Sequence, residues 1–219
     1  MNKVFDYKFT LNTSFITAFV QIMSSATSVI SMQITFVRHG QTDYNLQHLS
    51  QGQSNIPLNE KGLHQAALAG KSLSQNYFDI VYSSDLSRAY KTAETIVQGN
   101  KVIKNPVEIV PEILLREMSH GIYENKPNSA GKEVAEAAGF SKSDRRKFRP
   151  PGGENQDDVG KRAGNFLSKL SANEFINKRE GTDILVVSHG LILREIFKIL
   201  LEKDIGEKTN IGRKKSNPA

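Results

Sequence analysis

Two apolar runs stand out from the polar background of the chain. Ile34-Thr35-Phe36-Val37 ends on Arg38-His39-Gly40, and Ile184-Leu185-Val186-Val187 ends on Ser188-His189-Gly190. Near-continuous apolar runs of this length, rich in β-branched residues, read as strands covered on both faces, the habit of central parallel strands. Between them the spacing becomes helical. Leu63, Ala66, Ala67, Gly70 and Leu73 form one stripe behind Asn59, a natural N-cap, and Leu86, Ala89, Tyr90, Ala93, Ile96 and Val97 form a second. A third stripe runs through Val159, Ala163, Phe166, Leu167 and Leu170, and a fourth through Leu193, Ile196, Phe197 and Leu200. Short strands are predicted at Asp79 to Ser83 and Val107 to Val110, the latter closed by Pro111. Gln41 to Pro57 reads as a polar loop and 118–153 as irregular and basic, with Pro150-Pro151-Gly152-Gly153 a turn.

Strands alternating with helices predict an α/β fold, a three-layer sandwich whose mostly parallel sheet is flanked by helices on both faces. Such sheets bind ligands at the carboxyl ends of their strands. Arg38-His39, Ser83-Ser84 and Ser188-His189 all fall there.

Composition narrows the picture further. A chain of 219 residues, 38% hydrophobic and 24% charged, suits one globular domain. A net charge of +6 favours anionic ligands, but no dense Lys/Arg block interleaved with aromatics points to nucleic acid. Without cysteine there is no disulfide framework and no thiolate nucleophile or metal ligand. Neither a Gly-rich phosphate loop of either common type nor an H-E-x-x-H metal helix occurs.

Residues 1–31 stand apart as a Ser/Thr-rich leader without clear period, read as disordered or as a targeting segment. Its most apolar part, Phe15 to Met23, is broken by Thr17 and Gln21 and is too short to span a bilayer as a helix. Small residues near Ala26 are those of a poor signal peptide, whereas a transit peptide would carry Arg, which this stretch lacks. Met32, directly before the first strand, favours the disordered reading. Residues 203–219 read as a basic tail.

The strand tips carry the chemistry. An imidazole can attack phosphorus through one ring nitrogen while the other donates its hydrogen to a fixed acceptor. The transferred phosphoryl group then needs donors around its equatorial oxygens, and the leaving oxygen needs a proton. Arg38 and His39 share one tip, Arg88 opens the helix after Ser83-Ser84-Asp85, and His189 precedes a helix N-terminus, which favours anions. Glu117, in Leu115-Arg116-Glu117, is available as the acid. Taken singly, each has a plainer reading: a capping histidine, a solvated arginine, a surface glutamate. Their joint placement is what singles them out, and His48, His64 and His120 lack such a setting.

Phe36-Val37-Arg38-His39-Gly40-Gln41-Thr42, with Asn45, resembles the signature of the histidine phosphatase superfamily in its phosphoglycerate mutase branch. Gln51-Gly52, Pro57-Leu58-Asn59-Glu60-Lys61-Gly62, Ser83-Ser84-Asp85-Leu86-Ser87-Arg88, Leu115-Arg116-Glu117, Pro151-Gly152-Gly153-Glu154 and Val187-Ser188-His189-Gly190 extend the likeness over about residues 33–201. The acid phosphatase branch carries Arg and Pro soon after Arg-His-Gly, which Gln41-Thr42-Asp43 does not match. The resemblance implies a domain at 32–202 with His39 as nucleophile, Arg38, Arg88 and His189 holding the phosphoryl group, and Glu117 as proton donor. It implies further that Asn45, Gln51, Gly52 and Gly190 line the site, and that the protein is a phosphoric monoester hydrolase that needs no metal and no cofactor. The absence of cysteine and the poor fit to a secretory leader favour a cytoplasmic location, with organelle targeting by residues 1–31 as the alternative.

Within the branch, mutases carry a longer insertion with a basic clamp between the acid and the second histidine. Here roughly 70 residues separate Glu117 from Ser188. Arg116 through Lys126 and the Pro-Pro-Gly-Gly-Glu run look more like the TIGAR-type fructose-2,6-bisphosphatases, so fructose 2,6-bisphosphate is the favoured substrate among small phosphorylated metabolites. Arg145, Arg146, Lys147 and Arg149 are placed to steer an anion, or are simply a solvated basic loop. Phosphoglycerate mutase, or a binding protein of little activity, are the alternatives. Family members continue past the second histidine into further strands, one of which lies beside the first His strand. No apolar strand follows residue 201 here, so an uncovered edge at 33–38 is expected, as in a shortened isoform, unless a leader strand or a partner covers it.

Overall fold

The computed structural model describes residues 9–12, 17–23, 31–102, 107–173 and 181–214, with side chains described from residue 33 to residue 202 within that set. Its strands are β1 (Phe9–Asn12), β2 (Thr17–Met23), β3 (Ser31–Arg38), β4 (Ile80–Ser83), β5 (Ile109–Pro111) and β6 (Thr182–Ser188). Its α-helices are α1 (Asp43–Leu46), α2 (Glu60–Ser72), α3 (Ser87–Gln98), α4 (Asn128–Ala137), α5 (Gln156–Ala172) and α6 (Gly190–Lys214). Among the described residues the sheet runs β1-β2-β3-β6-β4-β5. β3, β6, β4 and β5 are parallel, and β1 and β2 add an antiparallel pair.

The sheet divides two apolar layers. On one face Ile34, Phe36, Tyr82, Ile184 and Val186 pack against Phe166 and Leu170 of α5 and Ile196 and Leu200 of α6. On the other, Val37, Val81, Leu185 and Val187 meet Ala69 and Leu73 of α2 and Ala89, Ala93 and Ile96 of α3. Alternate residues of β6 therefore serve opposite cores, which is why its sequence is apolar throughout. Each such side chain, fully buried, contributes about 1.5–3 kcal/mol. Three helices begin on capping side chains, α1 on Thr42 in a capping box with Asn45. Asn59 accepts the Gly62 N–H at 2.9 Å, and Asn155 with Asp158 forms a reciprocal capping box.

Register sets the site. Arg38 pairs with Ser188, and Ser83 pairs with both Val187 and Pro111, so the strand tips end level. Backbone bonds continue past them: the His39 N–H donates to Ser188 O at 2.9 Å, Ser84 to Val187 O at 3.0 Å, and Glu112 to Ser83 O at 2.8 Å. Pro111 is tolerated inside β5 because β5 is an edge strand, where a missing N–H breaks no ladder bond.

Four expectations change. The edge of β3 is not bare: β2 pairs along it from Thr17↔Val37 to Met23↔Ser31. Thr, Phe, Val and Ile in β2 favour extended backbone, and pairing satisfies polar groups that an open edge would leave to water. Residues 9–12 and 17–23 of the leader are thus strands rather than disordered chain, while Ala26 lies outside the described residues. The fourth apolar helix, α6, runs on to Lys214, so most of the expected tail is helical, since Lys and Glu are good helix formers; 215–219 lie outside the described residues. Finally, 118–153 is not wholly irregular. It holds α4, which follows Pro127 and buries Ala135.

Candidate active site

The turn after β3 buries His39, 8% exposed, and leaves Arg38 facing solvent. Gly40 is required there: a Cβ would strike the carbonyl oxygen of Gly62, where the first turn of α2 presses against the loop. The His39 Nδ1 lies 2.7 Å from the Gly40 carbonyl. A carbonyl only accepts, so Nδ1 carries the hydrogen and Nε2 keeps its lone pair. The loop is tied down again by the Gly40 N–H, which donates to Thr92 Oγ1 at 3.2 Å, while the Thr92 hydroxyl donates to Arg88 O at 2.7 Å.

His189, fully buried at the tip of β6, faces His39 with ring centroids 5.0 Å apart and planes tilted by 58°. Its Nε2 lies 2.8 Å from Ser84 Oγ, and its Nδ1 has no partner among the described residues. Arg88, in the first turn of α3, is also fully buried. It donates to Ser54 O and Gly52 O, both at 2.8 Å, and its Nε is unpaired among the described residues. Gly52 makes this possible with a left-handed backbone (φ +49°) beside the Glu124 carboxylate, where a Cβ would not fit.

Glu117 sits across the sheet tips. Its Oε1 accepts the Met118 N–H at 2.9 Å and its Oε2 the Leu191 N–H at 3.2 Å, just past His189. Ser188 Oγ donates to Leu115 O at 2.7 Å and fastens this loop to β6. Asn45 accepts from Thr42 through Oδ1, leaving its amide NH₂ at a cavity of about 320 Å³ that Arg38 and His39 also line. Gln51 Oε1 lies 2.9 Å from the Thr42 hydroxyl. Gly190 packs under the Arg38 guanidinium, which a Cβ would meet at 3.6 Å.

The residues predicted from sequence are thus drawn to one edge of the sheet. Sequence reasoning missed those that hold them there. Glu124 accepts the Gln53 N–H, the Ser54 hydroxyl and the His120 N–H, tying together the two loops that carry the Arg88 acceptors and Glu117. Asp85 pairs with Arg116 through two bonds, at 2.7 and 2.5 Å. Both were visible only as charges beside better signals. His120, set aside earlier, lines a second cavity of about 780 Å³ with Lys132, Lys142, Arg145, Arg146, Arg194 and Lys198. Among the described residues no three His, Asp or Glu side chains are grouped to hold a metal ion, and no helix is long and apolar enough to cross a membrane.

Electrostatics keep both rings neutral. Burial, then the Arg88 and Arg38 charges, push His39 from 6.5 down to about 3 against the raising effect of the Gly40 carbonyl. His189 is held well below its ordinary range by burial first, then by His39 and the nearby arginines. Arg88 falls to about 10, mainly by burial, offset in part by Glu117 and Glu124, and stays charged at neutral pH.

The family model described as the histidine phosphatase superfamily (branch 1) matches residues 34–215. The chain belongs to the histidine phosphatase superfamily. Among the relatives of this histidine phosphatase, Fructose-2,6-bisphosphatase TIGAR of Xenopus tropicalis is 41% identical over 77% of this chain and 75% of its own length. Fructose-2,6-bisphosphatase TIGAR B of Danio rerio is 41% identical over 65% of this chain, which spans only 54% of that relative. A phosphoglycerate mutase structure from Bacillus anthracis superposes with TM-score 0.66 at 30% identity, covering 76% of this chain and 78% of its own.

The depressed His39 value carries a consequence for stability. Between about pH 3 and 6.5 the unfolded chain takes up a proton on His39 that the folded histidine phosphatase refuses. Stability is therefore complete above 6.5 and is lost as pH falls; the share due to His39 at pH 5 is about 2 kcal/mol. Urea midpoints at pH 7.5 and 5.0 should show a drop in wild type that shrinks in His39→Gln. Equal drops in the two proteins would contradict it.

Proposed function

We propose that this chain is a phosphatase that acts through phosphohistidine on small phosphorylated metabolites, with fructose 2,6-bisphosphate as favoured substrate. One observation carries the reading: a buried imidazole whose Nδ1 is locked to a carbonyl, with its ring 5.0 Å from a second buried imidazole and Arg88 alongside. In the first step His39 Nε2 bonds to phosphorus as the P–O bond to the leaving alcohol breaks, and Glu117 protonates the departing oxygen. The ring gains positive charge, which the Gly40 carbonyl offsets. The Arg88 Nε–H and the His189 Nδ1, both unpaired among the described residues, suit the equatorial oxygens, with Ser84 donating to His189 Nε2 to leave hydrogen on Nδ1. In the second step the Glu117 carboxylate takes a proton from water as the oxygen attacks phosphorus, which frees phosphate and His39.

Substrate preference rests on the relatives' names and on the 780 Å³ cavity, where the six cations that line it with His120 suit a second phosphate. Cytoplasmic location belongs to the same reading, since such multiply charged metabolites do not cross membranes unaided. The test is product analysis with fructose 2,6-bisphosphate and with 3-phosphoglycerate, alongside acid-quenched protein. Free phosphate and an acid-labile phosphoenzyme are expected. Isomerised phosphoglycerate without free phosphate would mean a mutase, and neither product would mean a binding protein.

A further inference from the structure

We infer that Arg162 is a positioning residue that aims Glu117, an inference resting on the proton-donor role proposed above. Residues 116–120 lie between two 3₁₀ turns (Ile113–Leu115 and Gly121–Tyr123) and have no helix or sheet ladder to hold them. One guanidinium substitutes for a ladder. Arg162, on α5, sends Nη1 to Leu114 O at 2.8 Å and Arg116 O at 2.9 Å, and Nη2 to Glu117 O at 3.3 Å. Its Nε and Nη2 also grip Glu154, at 2.7 and 2.9 Å. Glu154 extends the clamp: its Oε2 accepts the Ser119 N–H and its own N–H donates to Ser119 O, both at 2.9 Å. Gln53 Nε2 adds a bond to Glu117 O at 3.2 Å.

Among the described residues the Glu117 carboxylate bonds only to backbone N–H groups, its neighbour Met118 and Leu191 of α6. Its direction is therefore fixed by the backbone at 116–118, the stretch that Arg162 grips. Only a planar fork reaches three carbonyls and a carboxylate at once, so lysine cannot replace it. The pair is mostly buried, with side chains 17% and 19% exposed, so water is a poor substitute.

Leaving-group dependence separates aim from mere folding. The nitrophenolate of p-nitrophenyl phosphate departs without a proton, whereas the alcohol of benzyl phosphate, similar in size, needs one. In Arg162→Lys, kcat on benzyl phosphate should fall at least about tenfold more than on p-nitrophenyl phosphate. Glu117→Gln should show the same split, and the double variant should lose little beyond Glu117→Gln alone. Glu154→Gln, which keeps the arginine, should show a weaker split of about threefold and decides the matter if Arg162→Lys does not fold. Equal losses on both substrates in a cooperatively folded variant, or no loss, overturn the inference. A wild type that forms no phosphoenzyme overturns the proposed function instead.

Discussion

Replacing His39 with alanine is expected to cut kcat by at least about 10⁴-fold and to abolish acid-labile phosphate on the protein. The size follows from the lack of a substitute. The chain has no cysteine, and the second ring, His189, already has Nε2 against Ser84 Oγ. The fold should survive, because among the described residues the His39 side chain bonds only to the carbonyl of its own neighbour, so its loss removes no link between strands. A His39→Ala protein with a cooperative melt and more than about a hundredth of wild-type activity would refute the nucleophile assignment.

Arg88→Ala should cost about 10³-fold in kcat/KM, since it deletes a buried cation from the proposed phosphoryl site. It also leaves the Gly52 and Ser54 carbonyls without their donor, at about 1–3 kcal/mol in stability. A second readout isolates the charge. Arg88 is the largest influence after burial that lowers His39, so the His39 pKa, followed by NMR, should rise in Arg88→Ala. Arg88→Lys, which keeps a charge but cannot span both carbonyls, should fall between the two proteins. Unchanged affinity for vanadate in Arg88→Ala would count against the role.

Much of this architecture could be read from the chain because its signals are local. β3 and β6 announce themselves by apolar runs that end in His-Gly, and Asn59 caps α2 as its position predicts. The helix α4 escaped notice because its buried surface is small, with Ala135 its one fully buried side chain. The pairing of β2 with β3 stood only as an alternative because period-2 alternation is weak where Thr17 and Gln21 interrupt it. In the site, His39, Arg88 and His189 stood out because strand tips give them a setting. Glu124 and Arg162 did not, because their importance lies in backbone groups of distant loops, and no spacing in the sequence encodes a carbonyl's direction.

β6 sits between β3 and β4, although nearly all of the chain between Arg38 and Thr182 must be made before it. Among the described strands this central one is thus the last to be synthesised. Until it slots home, β3 and β4 have no common neighbour and the two imidazoles cannot meet. A nascent chain on the ribosome would carry His39, the proposed nucleophile, from early on yet remain inert until β6 emerged, and a chain ended before β6 by an early stop codon would stay so.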